Sequence, residues 1–394
     1  MIPLSELEKA VREGLAYLKA QEDVEEGEVF ASANGVLLTR LNYTSHIPCN
    51  GVEEPKSVVN YGVGVQAVLR GPSTGSGQAQ EVGRIGFGSE TSDISVEGVK
   101  SALDKARKGA VADPEFKSLA RPTGEQRKLA DYHDPKVLEI KDVDLVDAGW
   151  RVVNGALRVF QTSEPLGNLV ERPEKLSELG LIVSGDVTIL QERMAIGSYA
   201  MPEVQTDESA LIMSFITSMV EREGSKGSGY EATTRLDGFT DEAGREAAQA
   251  AIATIGGVRL PSGDYRVVFG RQATMEIMHY IVLPGLSTGM FYAVGSPFMG
   301  QMGQQVASAK FSIYDDGAAP GLVGSKGITC EGLPTGRTEL IKDGRLEDAV
   351  KLLQQFIENP VPEGGDERAQ RMSSVAFPFK KQTAPAGPAK ESKM

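Results

Sequence analysis

Val63-Gly64-Val65-Gln66-Ala67-Val68-Leu69-Arg70 places Val63, Val65, Ala67 and Leu69 on one side of an extended chain. That is the period-two pattern of a strand with one face buried. Arg84-Ile85-Gly86-Phe87-Gly88 reads as its partner across a loop from Gly71 to Ala79. Upstream, Glu28–Ala31 and Val36–Leu41 flank Asn34-Gly35, a pair that predicts a hairpin turn between two further strands. Helices bracket this stranded stretch. Leu7, Ala10, Val11, Leu15 and Leu18 recur at helical spacing behind a Ser5–Glu8 capping box, and Val99, Leu103 and Ala106 align on a second helix over Val96–Lys108. Residues 1–135 therefore predict an α+β domain, an antiparallel sheet with flanking helices.

Further along, residues 136–260 read as a central β-rich segment with one helix. Val187–Ile196 and Ala210–Glu221 are its strands, the second apolar on both faces as a covered strand would be. Gly224–Gly229 reads as a loose turn, and a helix runs from Asp241 to Ile255 until Gly256-Gly257 ends it. Residues 261–363 form a third, β-rich section. In it Tyr265–Phe269 is a strand, and the helix that follows carries Glu276 and His279 until Pro284-Gly285 stops it. Residues 364–394 are a Pro-, Ala- and Lys-rich tail, expected to be disordered. No repeat of fixed period is visible.

The 394 residues carry 41 basic and 54 acidic side chains, a formal charge of −13. Without a basic cluster this balance argues against nucleic acid as a partner. The longest apolar stretch, Ile277–Leu286, is broken by His279 and Pro284 and is too short to span a bilayer. The N-terminus lacks the pattern of a signal peptide, so the expected setting is the cytoplasm, with no membrane partner. Cys49 and Cys330 then read as two reduced thiols, and Asn42-Tyr43-Thr44 as a chance glycosylation sequon.

Few residues can carry chemistry. There is no Gly-Lys-Ser/Thr phosphate loop and no Gly-x-Ser-x-Gly nucleophile elbow. The glycine-rich 71–77 stretch reads as a hairpin loop. Of three histidines, His46 and His133 fall in polar loops and read as exposed. His279 is different, because Met275-Glu276-Ile277-Met278-His279 is one histidine short of the helical zinc-protease pattern. In that pattern two histidines at i and i+4 face the metal and the intervening Glu acts as general base. Met275 holds the first-histidine position, and its thioether suits a hydrolytic zinc poorly. On the residues alone, a structural helix is favoured, with His279 hydrogen-bonded to a neighbour and Met275, Ile277 and Met278 packed. No catalytic residue and no metal ligand is assigned. Were the chain active, Glu276 would be the base and His279 a ligand.

From Gly285-Leu286-Ser287-Thr288-Gly289-Met290-Phe291-Tyr292 the chain runs to Gly300-Gln301-Met302-Gly303-Gln304-Gln305-Val306-Ala307-Ser308. Ile313-Tyr314-Asp315-Asp316-Gly317, Pro320-Gly321-Leu322-Val323-Gly324-Ser325 and Glu331-Gly332-Leu333-Pro334-Thr335-Gly336-Arg337-Thr338 follow in order. Together with Gly62-Val63-Gly64-Val65, Arg84-Ile85-Gly86-Phe87 and Gly263-Asp264-Tyr265-Arg266-Val267-Val268, this set resembles the TldD/PmbA family, peptidase-like proteins also described as modulators of DNA gyrase. The resemblance covers about residues 25–346. It implies one of two subunit kinds. TldD-type members carry His-Glu-x-x-x-His on the helix after that strand, with a later cysteine completing a zinc site. PmbA-type (TldE) members lack those ligands and pair with a TldD-type protease.

Counting back from Gly300 puts His279 at the first histidine, Tyr280 at the Glu and Pro284 at the second histidine. A gapped alignment instead puts His279 where PmbA-type members keep a lone histidine. Cys330 lies in the wrong block for the cysteine ligand, and the long C-terminal strand region of the family has no counterpart. The resemblance thus implies a catalytically silent PmbA/TldE-like subunit that needs no cofactor itself, its partner a zinc-bearing TldD-like metalloprotease and its substrate peptide or unfolded chain. The alternatives are a divergent metallopeptidase using His279 and Glu276, and a self-associating structural protein. Asp315-Asp316-Gly317 reads as a turn at a strand end, Arg337 as the partner of a carboxylate such as Glu331, and Phe291, Tyr292 and Phe298 as either interface or core.

Overall fold

The computed structural model describes residues 1–47, 51–70, 83–112, 116, 118–121, 133–287, 290 and 295–347. The element order is α1 (Leu4–Lys19), β1 (Val24–Thr44), β2 (Gly51–Val52), β3 (Lys56–Leu69), β4 (Arg84–Thr91), α2 (Val96–Gly109) and β5 (Val111–Ala112). Then come α3 (Pro135–Leu138), α4 (Asp142–Gln161), α5 (Glu164–Gly167), β6 (Leu181–Ser198), β7 (Gln205–Val220), β8 (Ser225–Thr233) and α6 (Glu242–Ala253). The last are α7 (Arg271–Ile277), a π turn (Met278–Val282), α8 (Leu283–Leu286), β9 (Ile313–Asp316), β10 (Arg337–Lys342) and β11 (Arg345–Leu346). The fold is α+β. Two compact units divide it, one of residues 1–274 with 314–338, the other of 275–313 with the described residues from 339 on.

The first unit is organised by an antiparallel sheet in the order β5-β4-β3-β1-β6-β7-β8, with β2 beside β1. Residues on both sides of position 135 share it, because β1 pairs with β6 from Glu28↔Ser198 to Thr44↔Ile182. The predicted Asn34-Gly35 hairpin does not form. Asn34 pairs with Asn60 on one side and Glu192 on the other, and β1 runs straight through. A Cβ on Gly35 would lie 2.7 Å from Oε1 of Gln191, a side chain held by its Nε2 donating to the Val137 and Leu138 carbonyls. Val63, Val65, Ala67 and Leu69 are all buried on β3, as their alternation predicts.

Around the β1–β6 seam the chain repeats a plan that its sequence does not display. α1-β1-β3-β4-α2 on one side matches α4-β6-β7-β8-α6 on the other. All four long helices pack on one face. Leu7, Val11, Val99 and Leu103 meet Val29, Ala31, Val63 and Val65 in one core. Leu145, Val152, Val153, Ala243 and Ala247 meet Leu41, Val187, Ile189 and Ile212 in another. α4 corrects the expectation of a stranded middle section. Leu145, Ala148, Val152, Val153, Ala156 and Phe160 line one helical face and are buried, so the period of its apolar residues overrides its many β-branched ones.

Other expectations are refined. Pro3, not Ser5, occupies the cap of α1, and no side chain caps it; the Glu6 and Leu7 N–H groups donate to the Pro3 carbonyl. Glu8 faces outward and pairs with Arg12. The loose turn at 224–229 shrinks to Gly224, at φ 62°, and β8 begins at Ser225. Gly227 and Gly229 lie inside that strand because α6 leaves no room for a side chain: added Cβ atoms would come 2.2 Å from the Ala251 nitrogen and 2.1 Å from the Ala243 oxygen. Gly86 and Gly88 on β4 meet α2 the same way, at 2.1 Å and 2.0 Å from the Ala106 and Ala102 oxygens.

The described part of the second unit packs Leu286, Ile341 and Leu346 with Val282, Phe298, Val306 and Phe311. β10 and β11 form a tight hairpin, Lys342↔Arg345, closed by Asp343 and Gly344 at φ 48° and 77°. Both values are positive, the mark of a type I′ turn. A smaller sheet has the order β11-β10-β9. Cys49, the 71–79 loop, Phe291, Tyr292 and the tail lie outside the described residues.

Candidate functional site

The helix bearing Glu276 and His279 is not one regular α-helix. α7 ends at Ile277, a π turn covers Met278–Val282, and α8 runs from Leu283 to Leu286. The Leu283 N–H donates to the Met278 carbonyl, five residues back. Pro284 gives the local cause. It has no N–H to donate, and in an α-helix its ring would clash with the carbonyl four residues back, at Tyr280; a wider turn relieves this. The helix therefore does not stop at Pro284-Gly285 but makes one more turn, ended by Ser287, whose N–H donates to the Pro284 carbonyl at 3.2 Å.

The π turn alters which residues share a face. Bonds from i to i+5 bring residues five apart into line, whereas an α-helix aligns residues three or four apart. The register beginning at His279 has that five-residue spacing, and its fifth residue is Pro284. Proline offers a metal no donor, and Tyr280, at the position of the general base, carries a phenol. The other register offers Met275, Glu276 and His279 on two different helical geometries. Neither donor set fits a hydrolytic zinc, which takes three protein ligands with nitrogen, oxygen or thiolate donors. Among the described residues, no three of His, Cys, Asp and Glu gather closely enough to hold a metal ion.

His279 is exposed and stands edge-on to Tyr280, ring centroids 4.8 Å apart. Val282, Gly285 and Leu286 form the packed side, while Met275, Tyr280, Ile281 and Leu283 are exposed. The expectation that Met275 packs is thus corrected; Ile277 and Met278 are half-buried.

His133, expected in an exposed loop, is half-buried with both ring nitrogens engaged. Nδ1 accepts from the Ala210 N–H at 3.1 Å, and Nε2 lies 3.2 Å from the Ser325 carbonyl. His46 is exposed, 3.3 Å from Glu221. Arg337 stacks its guanidinium over the Tyr314 ring, 3.6 Å from the centroid. Asp315 and Asp316 end β9 before Gly317, as predicted.

Opposite the helices, the large sheet has a second face, and part of the first unit's second segment lies on it. Ile328 packs with Phe30, Met194, Ile196 and Met201. The Gly327 N–H donates to Asp207 at 3.0 Å, and Lys326 pairs with Glu192. Burial pushes the Asp207 carboxyl up. At the far end Glu28 is 8 % exposed. Burial first, then the charge of Glu331, pushes its carboxyl from the ordinary 4.5 up to about 8. Burial and Glu331 also push the Cys330 thiol up. Past the Glu192–Lys326 pair, on the side away from Glu28, a groove of about 280 Å³ is lined by Val36, Leu190, Leu211, Val323 and that pair. No sequence motif points to this groove, since its residues come from short runs on three separate strands and a loop.

Residues 262–354 match the family described as PmbA/TldA metallopeptidase C-terminal domain. A metalloprotease TldD homolog of Haemophilus influenzae is 35 % identical over 103 residues, 26 % of this chain and 21 % of that protein. The match thus spans about a fifth of that relative's length. The structure resembles TldE from Thermococcus kodakarensis with a TM-score of 0.61 at 17 % identity, covering 87 % of this chain and 69 % of that one. It also resembles a candidate modulator of DNA gyrase from Bacteroides thetaiotaomicron, TM-score 0.65 at 14 % identity, covering 88 % and 73 %. A similar protein from Thermotoga maritima gives 0.62 at 17 %, covering 86 % and 69 %. At these identities the likeness is one of fold.

Proposed function

Because the chain belongs to the TldD/PmbA family, we propose that it is a PmbA/TldE-like subunit without catalysis of its own, which pairs with a TldD-like zinc peptidase acting on peptides or unfolded chains. The observation that carries this reading is the π turn whose spacing matches the family's five-residue histidine separation but ends on Pro284. A side chain without a donor there removes the second ligand, and Tyr280 removes the base. Exposed Met275, Tyr280, Ile281 and Leu283 along the same helix supply apolar surface that suits a protein partner.

The test uses the full chain expressed alone and with a peptidase bearing a complete His-Glu-x-x-x-His. Coelution of the two chains with zinc-dependent peptide hydrolysis is expected, and Met275→His in the chain alone should create no hydrolysis. Stoichiometric zinc in the isolated chain, lost with its peptidase activity in His279→Ala, would overturn the proposal.

A further inference from the structure

The groove beside the Glu192–Lys326 pair has a floor of two rows. Strand register aligns Val36 with Leu190 and Leu190 with Leu211 across β1, β6 and β7, which makes an apolar row. Two residues along each strand, Asn34, Glu192 and Ser209 align in the same way and make a polar row. Residues two apart on a strand share a face and lie about 7 Å from each other. Val323 and Lys326 complete the lining from the loop seated on this face. That loop is anchored on both sides of Lys326. The Gly327 N–H donates to Asp207 at 3.0 Å, the Ser325 carbonyl lies 3.2 Å from the His133 Nε2, and the Thr335 hydroxyl donates to the Lys326 carbonyl. The Lys326 ammonium therefore reaches Glu192 from a held backbone. Both side chains of the pair are 33 % exposed, shielded yet open to a solute. Pairing does not exhaust them, because an ammonium has three N–H donors and a carboxylate has two oxygens.

We propose that this groove binds a free α-amino acid with a branched aliphatic side chain. Its carboxylate meets Lys326, its ammonium meets Glu192, and its side chain lies on the Val36–Leu190–Leu211 row beside Val323. Volume sets the size. Sites for drug-sized molecules run from about 300 to 1,000 Å³, and this groove of about 280 Å³ suits a molecule of one residue. Charge sets the class. An apolar amine would satisfy Glu192 but bring a second cation beside Lys326, and an apolar acid would bring a second anion beside Glu192. A zwitterion lies head to tail against the pair, so each of its charges faces an opposite one. A neutral apolar molecule would take water from the pair without replacing the hydrogen bonds lost. Peptide hydrolysis releases molecules of this class, so under the pairing proposed above the site would sense product. Only that role rests on the pairing; the binding itself does not.

The probe is L-leucine, titrated calorimetrically into the full-length chain without any partner. Saturable one-to-one binding is expected, with a Kd below about 1 mM. Isoamylamine lacks the carboxylate and isocaproate lacks the ammonium, and each should bind at least about tenfold more weakly, as loss of a charged hydrogen bond requires. Glycine, with no side chain to bury, should lose at least about tenfold as well. Lys326→Gln and Glu192→Gln should each weaken leucine to a similar degree, and Leu211→Trp, which fills the groove, should abolish binding. No saturable heat up to about 10 mM leucine, isoamyl alcohol binding as tightly as leucine, or affinity indifferent to Leu211→Trp would overturn the proposal. The ligand series uses the unaltered protein, so it decides the matter even where a variant fails to fold.

Discussion

Glu28 shows how a single buried carboxyl makes a region pH-sensitive. It sits on the sheet face opposite the helices, facing Glu331, with the Cys330 thiol nearby. Its carboxyl is raised to about 8, so near neutrality it is protonated in the fold, while in the unfolded chain it ionises near 4.5. Between those two values the native state holds a proton that the unfolded state has lost, so stability falls as pH rises. Below 4.5 both states are protonated and the full contribution is present; above about 8 it is gone. Glu28→Gln keeps the shape and removes the titration. The variant should lose less stability than the native protein between pH 5 and pH 8, by an amount of the order of a few kcal/mol. Urea unfolding at the two pH values measures this, and parallel losses in both proteins would refute it.

At the scale of elements, the two Gly-x-Gly pairs set how closely helix and strand approach. Gly88→Ala or Gly229→Ala would push a methyl group against a backbone oxygen at 2.0–2.1 Å. Helix backbone cannot rotate away as a side chain can, so each change should cost about 1–3 kcal/mol. Gly109, with nothing within 4 Å of its Cβ position, is the control, and Gly109→Ala should shift stability by no more than about 0.5 kcal/mol. Thermal melts of the three variants would check the contrast, and equal melting temperatures would sink it.

These same elements show what sequence can and cannot convey. The alternation at 63–69 and the helical spacing of Leu7 to Leu18 are local patterns, and both elements form. Asn34-Gly35 and Asp343-Gly344 have nearly the same turn chemistry, yet only the second makes a hairpin. What differs is tertiary. Strands on both sides of β1 pair through Asn34, and Gly35 fills a space that Gln191 defines. The candidate site follows the same rule. Glu276 and His279 are visible in the sequence, but the π turn comes from a clash between Pro284 and a carbonyl one turn earlier. The groove beside Glu192 and Lys326 joins residues over a hundred positions apart, and no spacing rule reaches that far.

At the scale of the whole molecule, net charge bears on whether the chain can grip duplex DNA. A protein that grips duplex DNA neutralises phosphates with clustered Lys and Arg, and its affinity depends steeply on salt. This chain has 41 basic against 54 acidic residues. Many of the cations are already engaged: Arg107 binds Asp23 and Asp104, Arg158 binds Asp241, Arg193 binds Glu208, and Lys326 binds Glu192. Arg259 and Arg266 add only two guanidinium groups beside Asp264. Within about a Debye length of its surface, a chain of net charge −13 repels a polyanion. Basic proteins bind DNA non-specifically at about 10⁻⁴–10⁻⁶ M under physiological salt. Here a labelled duplex of about 20 base pairs should show no anisotropy change at protein concentrations of about 10 µM and salt of about 0.15 M. Binding that weakens steeply with added salt would instead reveal a phosphate-contacting surface and reverse that conclusion.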